Sequence, residues 1–217
     1  MIKYNPSIFN VNTIEEAKSI ILTNEGSPTD IRWQMETPVL ASIIKKQWGD
    51  IQGKTIVDYG CGIGRMSKVL CEMGATVVGV DISPDMRRLA HQYVQSNNFM
   101  VMSPEEYAII VNNGFRCDYA LAIWVLQHCP KPEIELDVIK KSMKNGLMVL
   151  NNKLRAVPVT VDDNIENKWC NDKIDLWKML DETFEIEQEY EIEPSLIGLQ
   201  DSFYRCVFYK CSTSRND

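Results

Sequence analysis

The sequence predicts an α/β fold: a seven-stranded mixed sheet, mostly parallel with an antiparallel last strand, and helices on both faces. Three observations carry that expectation. Five short apolar runs between Lys54 and Leu150 alternate with helical stretches, which is the pattern of βαβ units and a parallel sheet. The first run leads through a cluster of glycines into a helix. The chain then closes with two strand-like segments about ten residues apart and no helix between them, a connection that suits an antiparallel pair.

Taken in order, Thr13–Thr23 (TIEEAKSIILT) reads as an amphipathic helix with Thr13 and Glu16 as a capping box, and Asn24–Pro28 as a breaker. A second helix is predicted from about Pro38 to Trp48, with Thr37 as N-cap and Pro38 in the first turn, where its missing N–H costs nothing. The five strands are Thr55–Tyr59, Ala75–Val80, Asn98–Met102, Tyr119–Val125 and Leu147–Leu150. Helices are predicted over Met66–Met73, Pro84–Val94 and Pro132–Met143, and a further one over Lys173–Asp181. In Phe184–Glu193, alternation places Glu185, Glu187, Glu189, Glu191 and Glu193 on one side. Phe184, Ile186, Tyr190 and Ile192 fall on the other, with Gln188 interrupting, as in a half-buried strand. Phe203–Cys211 is the last strand.

The 217 residues suit one globular domain, and 45% hydrophobic with 24% charged residues excludes collagen-like, coiled-coil and largely disordered chains. The net charge of −7 argues against a partner read through phosphates. Removing the five glutamates of the late strand leaves −2, however, so the net charge says little about the sheet edge. Seven cysteines without a CxxC pair, and only two histidines, His91 and His128, point to free thiols in a reducing cytoplasm and to no metal site. The N-terminus lacks an apolar signal region, and no apolar run approaches the roughly 20 residues a membrane span needs.

The most informative stretch is Val57–Arg65 (VDYGCGIGR), a strand running into Gly60-x-Gly62-x-Gly64 and then a helix. Glycines permit positive φ and close approach of a ligand to the backbone, and a turn at a strand's carboxyl end is where open α/β sheets bind ligands. The dinucleotide pattern GxGxxG fails, because Arg65 stands three residues after Gly62, and there is no GxxxxGK[ST] loop. Asp58 precedes the loop, and a second acid, Asp81, ends the second strand 21 residues after Gly60. An acid there can accept both hydroxyls of a ribose.

This spacing resembles motif I of class I S-adenosylmethionine (SAM) methyltransferases, whose fold is Rossmann-like. Asp81-Ile-Ser-Pro-Asp-Met86 is similar to that family's second-strand motif, Cys117–His128 (CDYALAIWVLQH) to its fourth strand and the histidine segment after it, and Lys144–Leu150 to its turn into strand five. Leu180–Ile186 resembles its approach to strand six, without the usual glycine before Phe184, and the likeness covers about residues 36–211. The resemblance implies SAM as cofactor and S-adenosylhomocysteine as product. It implies that Asp58 meets the α-ammonium, that the loop of Gly60, Cys61, Gly62 and Gly64 meets the carboxylate through backbone amides, that Asp81 meets the ribose, and that Ile82 joins the cofactor set. Ile123, at the end of strand four, joins the cofactor set. The family's usual acid after strand three is replaced by Ser103, followed by Pro104, so Ser103 or Glu105 would hold the adenine, unless Ser103 is a turn or N-cap residue.

His128 lies just past strand four, where the transferred methyl belongs; it is either a general base or a histidine bridging its helix to a backbone carbonyl. Trp124 either packs in the core or lines the donor pocket, and Arg32 and Trp33 either simply pack or belong to the N-terminal lid the resemblance implies, residues 1–36, ahead of a SAM-binding domain, residues 37–217. Asp118 starts strand four, at the opposite edge, and is not expected to be catalytic. The expected reaction is transfer of the sulfonium methyl to an N or O nucleophile, with a small molecule as acceptor. The chain lacks the Pro-Pro-Tyr/Trp and Pro-Cys motifs of base-methylating enzymes, which leaves RNA or protein as alternative acceptors. A non-catalytic SAM-binding protein is a further alternative, and the GxGxG spacing disfavours an NAD-linked oxidoreductase. Asn151–Trp169, with Lys153 and Arg155, is the expected acceptor-facing segment.

Overall fold

A computed structural model describes residues 9–22, 29–129, 131–152, 175–197 and 204–210. The expected acceptor-facing segment lies outside them from Lys153 onward.

The first five strands are β1 (Thr55–Tyr59), β2 (Thr76–Val80), β3 (Phe99–Met102), β4 (Cys117–Ile123) and β5 (Met143–Asn152), all parallel. The last two are β6 (Glu185–Ile192) and β7 (Tyr204–Lys210). Spatial order is β3-β2-β1-β4-β5-β7-β6, and β7 runs antiparallel to both β5 and β6. The expected mixed sheet with an antiparallel last strand is therefore what forms. The order reverses between β1 and β4, so the connections leaving their carboxyl ends turn to opposite sides and open the crevice in which such sheets take ligands.

Helices α1 (Ile14–Ile21), α2 (Thr29–Trp48), α3 (Arg65–Glu72), α4 (Pro84–Val94), α5 (Pro104–Asn112), α6 (Pro132–Ser142) and α7 (Leu176–Thr183) complete the described residues. Alternation along each strand divides the core in two. Ile56, Leu121, Met148 and Phe208 pack against Leu40, Ile44 and Trp48 of α2 and Met66 and Leu70 of α3. Val57, Ala120, Leu147 and Val207 pack on the other face against Tyr107 of α5, Ile139 of α6 and Leu180 of α7. A third cluster joins Val11, Ala17 and Leu22 to Ile63, Met86 and Leu89, and so fastens α1 over the glycine loop and α4.

Four expectations need correction. The second helix does not start at Pro38: α2 begins at Thr29 and runs through the proline. Proline removes only one helical N–H, and the turn before it is held because the Thr37 hydroxyl donates to the Trp33 carbonyl (2.6 Å) and because Trp33 and Glu36 are buried. Helix α5 was not anticipated. Its signals are local: Ser103 as N-cap, Pro104 in the first turn, and a complete capping box with Glu106. At α1, Thr13 does cap the Glu16 N–H, but the Glu16 carboxylate accepts from Asn12 rather than Thr13. Finally, the glutamates of β6 do not share one face. A bulge between Ile186 and Gln188 shifts the register, so Glu185 lies opposite Lys210 while Glu189 and Glu191 lie opposite Val207 and Arg205. Arg205 binds both carboxylate oxygens of Glu189 (2.9 Å each), so part of that charge is paired rather than only solvated.

Candidate functional site

The glycine turn joins the ends of β1 and β2. The N–H groups of Gly60 and Cys61 donate to the Val80 carbonyl (2.7 and 3.0 Å), and Gly64 donates to the Cys61 carbonyl (2.8 Å). Gly62 donates to Asp81 Oδ2 (2.8 Å), while Ser83 N–H donates to Oδ1 (2.9 Å). Four loop amides expected to face a carboxylate thus close the turn on itself and on Asp81. Gly62 has φ +56°, and Ile21 Cδ1 of α1 lies 2.6 Å from where a β-carbon would stand. At Gly60, φ +74°, that place is filled by Val125. The backbone is bare here because neighbouring side chains come down onto it.

Asp81 holds the second strand end. Each carboxylate oxygen already accepts one amide, which leaves a second lone pair on each for an incoming hydroxyl. Burial raises its pKa, while the Ser83 and Gly62 amides and Arg87 pull the other way. The Arg87 guanidinium is fixed on the Asp81 and Ile82 carbonyls (2.7 and 2.9 Å). Ile82, directly beside it, is 38% exposed, an apolar surface at the crevice edge.

Asp58 is buried on the α3 side of β1, and the Ser67 hydroxyl donates to its Oδ2 (2.6 Å). Burial pushes its carboxyl up to about 6, against the Ser67 hydrogen bond and the Arg65 charge, which lower it. A carboxyl held at this value accommodates a cation more readily than it stays ionised alone. Cys61 packs under Gly79, and burial raises its thiol far above the usual range, which removes it as a nucleophile. Ser103 is occupied as the cap of α5, accepting from Glu106 N–H (3.2 Å), while the Glu105 side chain is exposed in the first turn of that helix. Ile123 ends β4 and belongs to the core beneath the crevice. Asp118 accepts the Thr55 N–H (2.9 Å) at the far edge of the sheet, as expected.

His128 ends a short 3-10 turn, residues 126–128, whose backbone it closes by donating to the Val125 carbonyl (2.8 Å). Its Nε2 lies 3.2 Å from Gln127 Nε2, and the Gln127 Oε1 is buried without a hydrogen-bond partner. Among the described residues, no three His, Cys, Asp or Glu side chains come together to hold a metal ion.

Sequence reasoning missed the charged group at the centre of this edge. Glu36 is fully buried, and its Oε1 accepts from Arg65 Nη2 (2.7 Å) and the Trp124 indole N–H (3.1 Å). Its Oε2 faces Arg32 Nη2 (3.4 Å), and Arg65 lies over the Trp33 ring, 5.5 Å from its centroid. The signal was present as helical spacing: Arg32, Trp33, Glu36, Leu40, Ile44 and Trp48 form one buried stripe of α2. It becomes visible only when the helix is allowed through Pro38.

Comparison with known proteins agrees with this geometry. A family described as a methyltransferase domain matches residues 32–185. A ubiquinone biosynthesis O-methyltransferase of Hydrogenovibrio crunogenus is 30% identical over 105 residues, 46% of this chain and 43% of that protein. The chain thus matches less than half the length of that relative. Among solved structures, the magnesium protoporphyrin IX methyltransferase of Synechocystis PCC 6803 with bound S-adenosylhomocysteine superposes with a TM-score of 0.62 at 18% identity, covering 94% of this chain and 90% of that one. A SAM-dependent methyltransferase from Aquifex aeolicus gives 0.58 at 16% identity, covering 85% and 98%. At these identities the structural likeness is one of fold.

Proposed function

The chain belongs to the methyltransferase-domain family, and from that premise we propose that it moves a methyl group from SAM to an oxygen or nitrogen nucleophile of a small molecule, with oxygen favoured. The observation that carries the reading is the glycine turn bonded through Gly62 to Asp81, at the point where the strand order reverses. The relative named as an O-methyltransferase supports the oxygen.

The residues fit the cofactor. Asp81 has free lone pairs for two ribose hydroxyls, Ile82 offers an exposed apolar face to a flat ring, and Asp58 is a buried carboxyl suited to an ammonium. Gly60, Cys61, Gly62 and Gly64 give a bare backbone beside these acids, Ile123 floors the crevice, and Ser103 with Glu105 borders it at α5. When bound, SAM supplies an electrophilic methyl on a sulfonium, so this chain needs no nucleophile of its own. Its contribution is alignment and exclusion of water. The lid expected of the N-terminal segment is carried by residues 9–22, a reading supported by Ile21 over Gly62 and by the bonds of Ser83 and Arg88 to the Phe9 and Val11 carbonyls (2.8 and 3.3 Å). His128 would take the proton that the acceptor hydroxyl gives up as its oxygen bonds the methyl carbon and the methyl–sulfur bond breaks, the bonding pair staying on sulfur. A cytoplasmic location accords with the free thiols of Cys61, Cys71, Cys117, Cys129 and Cys206, and none of the described helices is long and apolar enough to cross a membrane.

The test is conversion of SAM to S-adenosylhomocysteine with a phenolic probe acceptor, 3,4-dihydroxybenzoate, followed by mass spectrometry of the product. In His128→Ala, kcat should fall about 10²–10⁴-fold, the range general-base catalysis supplies, with SAM affinity held within about threefold, a change under 1 kcal/mol. Equal turnover of the two proteins would remove His128 from the chemistry.

A further inference from the structure

Trp124 has φ +58°, a left-handed conformation that is an outlier for a bulky side chain. It stands directly after β4, where the crevice opens. Strain of this kind persists only when the surroundings over-determine it, and here they do. The Trp124 N–H donates to the Leu150 carbonyl (3.0 Å), which ties the turn to the end of β5. Its ring meets Tyr204 of β7 edge-on, centroids 4.5 Å apart. Its indole N–H donates to the fully buried Glu36 (3.1 Å), a carboxylate that Arg65 holds from the first turn of α3.

The consequence of the turn lies in the next four residues. Left-handed backbone at Trp124 swings the chain back over β1, so Val125 fills the place of the missing side chain on Gly60. Leu126–His128 then form the short 3-10 turn that carries His128. The same residue thus fixes both the contact between β4 and the glycine turn and the placement of the proposed base.

We propose that Trp124 is a positioning residue for methyl transfer, held in its left-handed turn by Glu36, so that α2 and the strand-four edge act as one rigid unit around the reacting groups. The inference rests on the reading of this edge as the transfer site. Its role differs from that proposed for Asp58 and Asp81, because the contacts of Trp124 run to Glu36, Tyr204 and the Leu150 carbonyl and not to either of those acids.

The test compares Trp124→Phe, which keeps a ring against Tyr204 but cannot donate to Glu36, with Trp124→His, which regains an N–H and a side chain tolerated in the left-handed region. Substituting Glu36 would strand Arg65 and Arg32 in the interior, so the tryptophan variants are preferred. With 3,4-dihydroxybenzoate and SAM, Trp124→Phe should lower kcat about ten- to hundredfold, since a misplacement near 1 Å costs on the order of 100-fold. SAM affinity by calorimetry should stay within about threefold, and Trp124→His should recover part of kcat. A second readout needs no acceptor. The chain has two histidines, and in the S-adenosylhomocysteine complex the Trp124→Phe change should shift the ring resonances of His128 and leave those of His91 in place. Unchanged kcat with unchanged His128 resonances overturns the proposal. So does a loss of SAM affinity as large as the loss of kcat, which would mark Trp124 as structural. If the wild-type protein does not turn over the probe, that result counts against the proposed acceptor, and the His128 resonances alone decide the role of Trp124.

Discussion

Asp58 carries a raised pKa of about 6 against an ordinary 3.8, with burial as the main cause. For a raised acid the protonated folded state is favoured, so its stabilising effect is complete below about 3.8 and is lost as pH rises through about 6. An ammonium placed beside it reverses the sign, drawing the pKa down and expelling the proton. SAM binding at pH 6 should therefore release about half a proton, and at pH 8 none from this group. Titration calorimetry in two buffers of different ionisation enthalpy reads this directly, and Asp58→Asn should abolish it. Buffer-independent heats at pH 6 would mean that Asp58 does not meet the cation. At this scale the motif residues were legible because each is a local feature, an acid or glycine at a strand end. Ser83 on Asp81 lies inside the Asp81–Met86 motif and is equally local, whereas Ser67, which tunes Asp58, comes from packing of α3 and carries no motif.

Among the elements, α2 shows where local rules stop. A proline in a helix interior costs about 3 kcal/mol, and on propensity alone the helix should begin there. It continues because Trp33 and Glu36 anchor the turn before Pro38 in the interior, and losing one partner of a buried ion pair costs about 3–5 kcal/mol, enough to offset the proline. Restoring the missing N–H should then be a gain. Pro38→Ala should raise the thermal midpoint by a few degrees, at roughly 2–4 °C per kcal/mol for a chain of this size. A lowered midpoint in differential scanning calorimetry would instead show that the proline's bend is required for Glu36 to reach Arg65 and Trp124. The same long-range logic hid the left-handed turn at Trp124, whose strain is set by β5, β7 and α2 together. Helix α5 was different. Its capping box, Ser103 with Glu106, and Pro104 in the first turn are local signals that need no long-range packing.

For the whole molecule, strand alternation with intervening helices was enough to specify the sheet, because parallel βαβ units admit few arrangements. The two edges are protected differently. Strand β3 is only four residues long, and β6 combines a bulge with glutamates on both faces, devices that discourage pairing with another chain. The sheet's ligand crevice then follows from topology, since the order reverses between β1 and β4 and the glycine turn, Asp81, Trp124 and His128 all stand at that carboxyl edge. The central claim is that Asp81 and the glycine turn hold SAM there. Calorimetric titration of SAM into the wild-type protein and into Asp81→Asn tests it most directly. The account predicts saturable binding to the wild type and at least about tenfold weaker binding to the variant, since hydrogen bonds to a charged group are each worth about 1.5–3 kcal/mol. Absence of SAM binding by the wild type, or an unchanged dissociation constant in Asp81→Asn, would contradict it.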